Sequence, residues 1–359
     1  MRVLLDCRMA DWSGIGRYTT GLVRALAGCD DVEIIQFVAK GGAAPVAGAM
    51  SLHANAHPFT PEGGLELGRV ARLAACDVTH CLHFPTPVPA RHPLVVTIHD
   101  LTPLLVPGTM RAFPHGLAYR IWNRRASRVA DRIITPSRFT ATDVERFFPA
   151  AAGKIRVTPE AADDLTAGPV APMSADLRAL AGERYMLSMG NTKPHKDLPT
   201  LLRAFEALAP DHPGLSLLLV GADVPGYATS VLGDSSVASR VHFTGRVDDA
   251  TLRRLYADAA VFAFPSRYEG FGLPPLEAMG MGTPVVCADA TSLPEVVGDA
   301  ALLAPVGDAD ALARGLTSVL DDATVVARLV AAGRTRAAAF SWKNTARDTL
   351  AVYREVLAR

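Results

Sequence analysis

A chain of 359 residues exceeds the usual size of one globular core, so two domains are expected. With 49% hydrophobic residues and no long low-complexity stretch, a disordered chain is excluded and a globular one expected. Its 36 Lys and Arg balance 36 Asp and Glu, which excludes a global field for holding nucleic acid and requires any bound anion to be gripped locally.

The chain opens on Met1-Arg2-Val3-Leu4-Leu5, strand-like rather than a charged leader, and no apolar run is long enough to span a bilayer, so a cytoplasmic enzyme is expected. Short β-branched runs then alternate with longer amphipathic stretches, the pattern of parallel sheets covered by helices on both faces. First-half strands are expected at Arg2 to Asp6, Val32 to Val38, Val78 to Leu82, Leu94 to His99, Arg132 to Pro136 and Ile155 to Val157. Ala161 to Gly182, rich in Ala, Pro, Asp and Gly, reads as an irregular linker. The rhythm resumes with strands at Tyr185 to Met189, Leu215 to Val220, Val241 to Thr244, Val261 to Phe264, Pro284 to Ala288 and Ala301 to Leu303. The expected fold is therefore α/β: two doubly wound, Rossmann-like domains, residues 1–163 and 164–341, facing across a cleft, with an amphipathic helix in 342–359 crossing back to the first.

Several polar motifs punctuate this rhythm. Gly14 and Gly16 follow the first strand, but Thr19 stands where a dinucleotide fingerprint needs its third glycine. Thr97-Ile98-His99-Asp100 carries a buried strand into two polar residues at its carboxyl end, where doubly wound sheets keep functional groups; a satisfied structural His–Asp pair is the plainer alternative. Between Arg111 and Arg132, Arg120, Arg124, Arg125 and Arg128 lie among Phe113, Tyr119, Ile121 and Trp122, a basic amphipathic helix suited either to anionic lipid or to plain solvent. Five cysteines without a Cys-x-x-Cys pair argue against a disulfide framework or structural zinc. Cys76, His80, Cys81 and His83 crowd together, but strand alternation sends neighbours to opposite faces. Asp308-Ala309-Asp310 precedes a helical pattern and reads as a cap. No metal site is expected.

The most informative segment is Pro-Ser-Arg-Tyr-Glu-Gly-Phe-Gly-Leu-Pro-Pro-Leu-Glu-Ala-Met-Gly-Met-Gly-Thr-Pro-Val-Val, residues 265–286. A buried strand ends at Pro265, a glycine-flanked turn follows, and Pro274 and Pro275 sit where prolines are tolerated, in the first turn of a helix. Amides around Gly270, Phe271 and Gly272, with the dipole of the helix that follows, make an anion seat. Glu269 before the helix and Glu277 two turns into it are spaced to reach opposite ends of one extended ligand; a lone Glu-Gly pair would be only a turn and a cap.

This string resembles the retaining GT-B glycosyltransferases of family 4, whose hallmark is two glutamates separated by seven residues, and the likeness covers nearly the whole chain. It implies that Glu277 binds ribose hydroxyls and that Glu269 lies beside the transferred sugar. It also implies that Gly270, Phe271, Gly272 and Leu273 hold the diphosphate or sugar. Met189-Gly190-Asn191-Thr192-Lys193-Pro194-His195-Lys196-Asp197 is similar to the family's phosphate-binding turn. Gly190 and Lys196 match, Asn191 stands where an Arg is often found, and Lys193 or Arg267 is the expected substitute. Gly14, Gly16 and Arg17 resemble the family's flexible glycine loop near the donor phosphates, His99 is the candidate sugar-hydroxyl contact near the anomeric centre, and Arg246-Val247 resembles the segment near the nucleobase. Thr291-Ser292-Leu293-Pro294-Glu295, familiar in the family, reads as structural.

The function expected from the likeness is transfer of a hexose, mannose-like by preference, with retention of configuration. The donor is a GDP- or UDP-sugar and the acceptor a glycan or lipid-linked glycan. Peripheral membrane contact through residues 111–132 goes with it; no cofactor, metal or nucleic acid is implied. A nucleotide-sugar epimerase, a pyridoxal-phosphate-dependent phosphorylase and a non-catalytic glycan-binding module remain as alternatives.

Overall fold

The computed structural model describes residues 1–109, 115–221 and 224–358; the side chains of Ser13 and His115 are not described. The start of the 111–132 segment, including Phe113, lies outside the described residues. The chain divides into two units, one of residues 1–105, 110–161 and 341–359, the other of 106–109 and 162–340.

The first unit holds seven strands: β1 (Arg2–Asp6), β2 (Glu33–Val38), β3 (Met50–His53), β4 (Val78–Cys81), β5 (Leu94–Thr97), β6 (Arg132–Thr135) and β7 (Ile155–Val157). All pair in parallel in the order β3-β2-β1-β4-β5-β6-β7, so the winding reverses beside β1. Strands β4, β5 and β6 are buried at every position, as expected of parallel strands covered on both faces. The sequence reading missed β3: an edge strand of four residues, exposed at both ends, carries too short an apolar alternation to be seen.

The second unit has six strands: β8 (Arg184–Met189), β9 (Leu215–Val220), β10 (Val241–Gly245), β11 (Val261–Phe264), β12 (Val285–Ala288) and β13 (Leu302–Ala304), in the order β10-β9-β8-β11-β12-β13. Their alternation builds two cores. Tyr185, Leu187, Leu218, Phe262 and Phe264 point to one face, and Met186, Leu217, Leu219, Val261 and Ala263 to the other. The expected irregular linker contains two short helices, Asp163–Thr166 and Ala175–Ala181, the second capped by Ser174.

The last helix, Trp342–Leu357, belongs to the first unit. Ser341 caps it, and Trp342 is accommodated because residue 21 is glycine: a Cβ there would lie 2.1 Å from the indole. Thr345 Oγ1 donates to the Pro159 carbonyl at 2.7 Å, Tyr353 Oη meets His80 Nδ1 at 2.6 Å, and Glu355 accepts from Arg132 on β6 and Arg156 on β7. Those two guanidinium bonds bring the Glu355 carboxyl down to about 2.

Candidate functional site at the carboxyl ends of the second sheet

Three segments meet where β8 and β11 end. After β11 the chain passes through Pro265 to Gly272 and enters the helix Leu273–Met281. Gly272 caps that helix at φ 122°, and an added Cβ would lie 2.8 Å from Leu293 Cδ2, so both conformation and space demand glycine. Below the turn, Phe271 and Leu273 bury their side chains with Leu276 and Val296. Ser292 Oγ, fully buried, lies 2.9 Å from the Glu269 carbonyl and 2.6 Å from that of Phe271, and the Glu269 amide donates to Thr291 Oγ1 at 3.1 Å. With carbonyls and side chains held inward, the amides of Phe271, Gly272 and Leu273 donate to no acceptor among the described residues. Two prolines supply no N–H at the next two positions, so these amides are the donors that the helix start offers.

Lys196 comes from the turn after β8. Its Nζ lies 2.6 Å from Glu269 Oε1 and 5.3 Å from the centre of the Phe264 ring, with both members of the ion pair about one-sixth exposed at 17% and 16%. Ser266 Oγ lies 2.5 Å from the same Glu269 oxygen and 3.0 Å from the His195 carbonyl, which also accepts from the Arg267 amide at 2.7 Å. The two turns are thus pinned to each other. Gly190 seats the stem of Lys196, whose Cγ would be 3.4 Å from a Cβ there. Burial and the positive charge of Lys196 lower the His195 imidazole to about 4, so the ring is neutral near pH 7. Its Nδ1 has no hydrogen-bond partner among the described residues.

Other predicted residues fall into different settings. Arg267 forms a two-pronged pair with Asp197, Nε to Oδ2 at 2.8 Å and Nη2 to Oδ1 at 3.1 Å, which holds Asp197 in its left-handed conformation. Asn191 Oδ1 accepts from the Lys193 amide at 3.1 Å, a turn-forming bond, and Lys193 is exposed. Glu277 is 2% exposed and accepts from Tyr256 Oη at 2.9 Å. Beyond β10, Arg246 is exposed while Val247 packs on the core.

In the first unit the expected glycine loop is instead the start of a helix, Ser13–Ala27. Gly16 lies in its first turns because a Cβ would sit 2.2 Å from the Ala10 carbonyl oxygen; Gly14 faces open space and Arg17 is half-buried. His99 is 8% exposed with both ring nitrogens engaged, Nδ1 with Glu160 at 2.9 Å and Nε2 with the Leu82 carbonyl at 2.9 Å. Burial alone would lower its pKa, but the Glu160 carboxylate outweighs it and raises the value, favouring the doubly protonated ring that two acceptors require. The partner is Glu160 rather than the neighbouring Asp100, which accepts from the Thr102 amide.

Among the described residues, no group of three His, Cys, Asp or Glu side chains is placed to hold a metal ion. His80 is tied to Tyr353 and Thr97, and Asp308 caps the helix Ala309–Asp321. Sequence reasoning assigns no bracing role to Ser266 or Asp197, whereas Thr291-Ser292, expected to be structural, does brace the turn. Ser266 and Asp197 stand inside the two motif strings, which carry no signal for their partners.

Comparison with known proteins bears on this geometry. The family model described as Glycosyltransferase Family 4 matches residues 12–164, and that described as Glycosyl transferases group 1 matches residues 173–336. An Escherichia coli protein named O-antigen chain mannosyltransferase B is 35% identical over 232 residues, 63% of this chain; the chain spans 61% of that relative's length. Among solved structures, sucrose-phosphate synthase of Thermosynechococcus elongatus superposes with a TM-score of 0.76 at 23% identity, covering 100% of this chain and 99% of the other. Anabaena Alr3699/HepE, solved in complex with UDP-glucose, gives 0.73 at 20% identity, covering 100% and 99%. The two family models lie on the two doubly wound units in order, and the chain therefore belongs to the GT-B glycosyltransferases of family 4.

Proposed function

We propose that this chain transfers a hexose, mannose by preference, from a nucleoside-diphosphate sugar to a glycan or lipid-linked glycan, with retention of configuration and without a metal ion. The observation that carries the reading is the Lys196–Glu269 pair beside the unpaired amides of Phe271, Gly272 and Leu273. Cleaving a glycosyl phosphate requires stabilisation of a departing diphosphate and of an oxocarbenium-like sugar, and fixed charges and dipoles supply both without reorganising. Lys196 and the amides serve the diphosphate, and Glu269, held by Ser266, serves the sugar. The acceptor hydroxyl attacks on the leaving group's face, with a donor phosphate oxygen taking its proton. Mannose is favoured by the mannosyltransferase relative, and a nucleotide-sugar donor by the UDP-glucose bound in the Anabaena protein. GDP is favoured over UDP by the likeness of the glycine loop and of the Pro194-His195-Lys196 turn together. Glu277 takes the ribose in this reading by exchanging its Tyr256 bond.

The basic helix His115–Val129 supports a lipid-side acceptor. Leu117, Arg120, Ile121, Arg124 and Arg128 are its exposed face, without an acidic residue. Arg125 instead turns inward to Thr86 Oγ1 and the Pro87 carbonyl. Flotation with anionic but not neutral liposomes is expected; no binding to either removes the membrane contact.

The central test is a screen of UDP-, GDP-, ADP- and TDP-sugars for binding and slow hydrolysis, with and without EDTA. Turnover of at least one donor, insensitive to EDTA, is expected. Glu269→Gln is expected to lower it roughly 10²–10³-fold. Undiminished turnover in that variant overturns the role of Glu269, and conversion of the donor sugar without acceptor assigns an epimerase instead.

A further inference from the structure

The first sheet carries a cluster that the proposed chemistry does not use. Because its strands are parallel, the segments after β1, β3 and β4 leave from one edge, the carboxyl edge where open α/β sheets bind ligands. Those segments bring Trp12, His57, Phe59, His83 and Phe84 together. Phe59 stacks on Phe84 with ring centres 5.2 Å apart and planes at 23°, and His83 lies 4.1 Å from Phe84 and 6.0 Å from Phe59. Trp12 stands over this floor, its ring edge-on to Phe59 at 5.6 Å and 6.3 Å from His57.

Two features set the cluster apart from ordinary core. Trp12 is 43% exposed, whereas Trp342 is 4% exposed, so a large rigid indole is held at the surface by an aromatic mount rather than buried. His83 is 9% exposed, yet its Nδ1 has no hydrogen-bond partner among the described residues. A buried ring nitrogen left unbonded calls for an explanation. The exposed ring of His57 stands beside the indole, and exposed Asp11 directly precedes Trp12 in the chain.

We propose that this cluster is a carbohydrate-binding platform, on which the apolar face of a pyranose lies against Trp12 while its hydroxyls are met by His83, His57 and Asp11. An aromatic surface with a few convergent polar groups suits a ring that is apolar on its faces and hydroxylated at its rim, and suits neither a flat acyl chain nor a phosphate. The site deepens the transfer reading by giving the glycan acceptor its seat, and rests on that reading only for this role; glycan binding itself needs no donor.

The experiment follows tryptophan fluorescence of the whole chain as mannotriose or maltotriose is added without nucleotide, then measures acceptor and donor KM in variants. A saturable change is expected in the native chain and is lost in Trp12→Ala. That variant is expected to raise acceptor KM at least ~10-fold with donor KM unchanged, and Trp12→Phe to recover part of the loss. His83→Phe keeps the ring contacts and removes the unbonded nitrogen, so it is expected to weaken glycan binding severalfold without lowering the melting temperature. Unchanged fluorescence with both sugars, an unchanged acceptor KM in Trp12→Ala, or an equal rise in its donor KM overturns the platform. Native protein that binds glycan yet turns over no donor sinks the transfer reading and leaves the platform standing.

Discussion

Both sheets bring polar residues to their carboxyl ends, and the two ends use them differently. In the first unit, His99 is closed between Glu160 and the Leu82 carbonyl, and His80 between Tyr353 and Thr97, whose hydroxyl also meets Tyr18 at 3.0 Å. Arg8 is closed in the same way on buried Asp6, at 2.7 Å. These groups saturate one another, which makes them part of the scaffold. In the second unit, Lys196 and Glu269 are partly exposed and stand beside amides with no acceptor. A side chain that satisfies its partners within the fold supports a shape; one that leaves donors open beside it is poised for something from outside.

Four measurements break or sharpen that contrast. The largest effect on folding is expected for His99→Ala, which leaves the buried Glu160 carboxylate without its partner. Loss of a buried pair member costs about 3–5 kcal/mol, to be read from urea unfolding midpoints. A fall below about 1 kcal/mol would show that the pair is not scaffold. Lys196→Met is the converse: donor turnover is expected to fall roughly 10²–10³-fold while stability barely moves. A loss of stability without a loss of turnover would reverse the two assignments.

Ser292→Ala tests the mount of the turn. It removes the single hydroxyl proton that the Glu269 and Phe271 carbonyls share, an expected cost of about 1–3 kcal/mol, with a weaker grip on the donor. Donor affinity that stays intact in this variant would mean the amides need no such bracing.

The smallest effect is in pH dependence, where the histidines pull in opposite directions. His99 has a raised value in the folded state, so its stabilisation is complete below the ordinary 6.5 and is lost as pH rises through the raised value. Burial brings His80 down to about 3 and His195 to about 4, so their neutral forms are favoured by folding. Stability is complete above 6.5 and declines as pH falls towards those values, by at most about 1.4 kcal/mol per pH unit for His80. His80→Gln is therefore expected to flatten the acid limb of a melting-temperature profile recorded from pH 7 to 4. An unchanged slope would show that His80 titrates normally.

Much of the architecture was legible because parallel strands buried on both faces are nearly continuous apolar runs, such as Leu215–Val220 and Val261–Phe264. Edge strand β3 escaped because Met50–His53 is half-exposed and has no such run. The loop that the family likeness implies at Ser13-Gly14-Ile15-Gly16 is the start of a helix, and the close approach of Gly16 to the Ala10 carbonyl makes glycine the residue that lets the helix begin there. Within the site, the placement of His99, Lys196 and Glu269 just beyond strand ends could be read from position. Their partners could not, since Glu160 is 61 residues from His99, Glu269 is 73 from Lys196 and Ser292 is 23 from Glu269.

By itself, then, the chain order of apolar runs, glycines and prolines determined two doubly wound sheets and the motif of the family, because burial periodicity and backbone restrictions are local properties. Which polar groups saturate each other and which are left open was decided only in three dimensions. Hydrogen bonds form between whatever the topology brings within 3 Å, and separation along the sequence carries no trace of that.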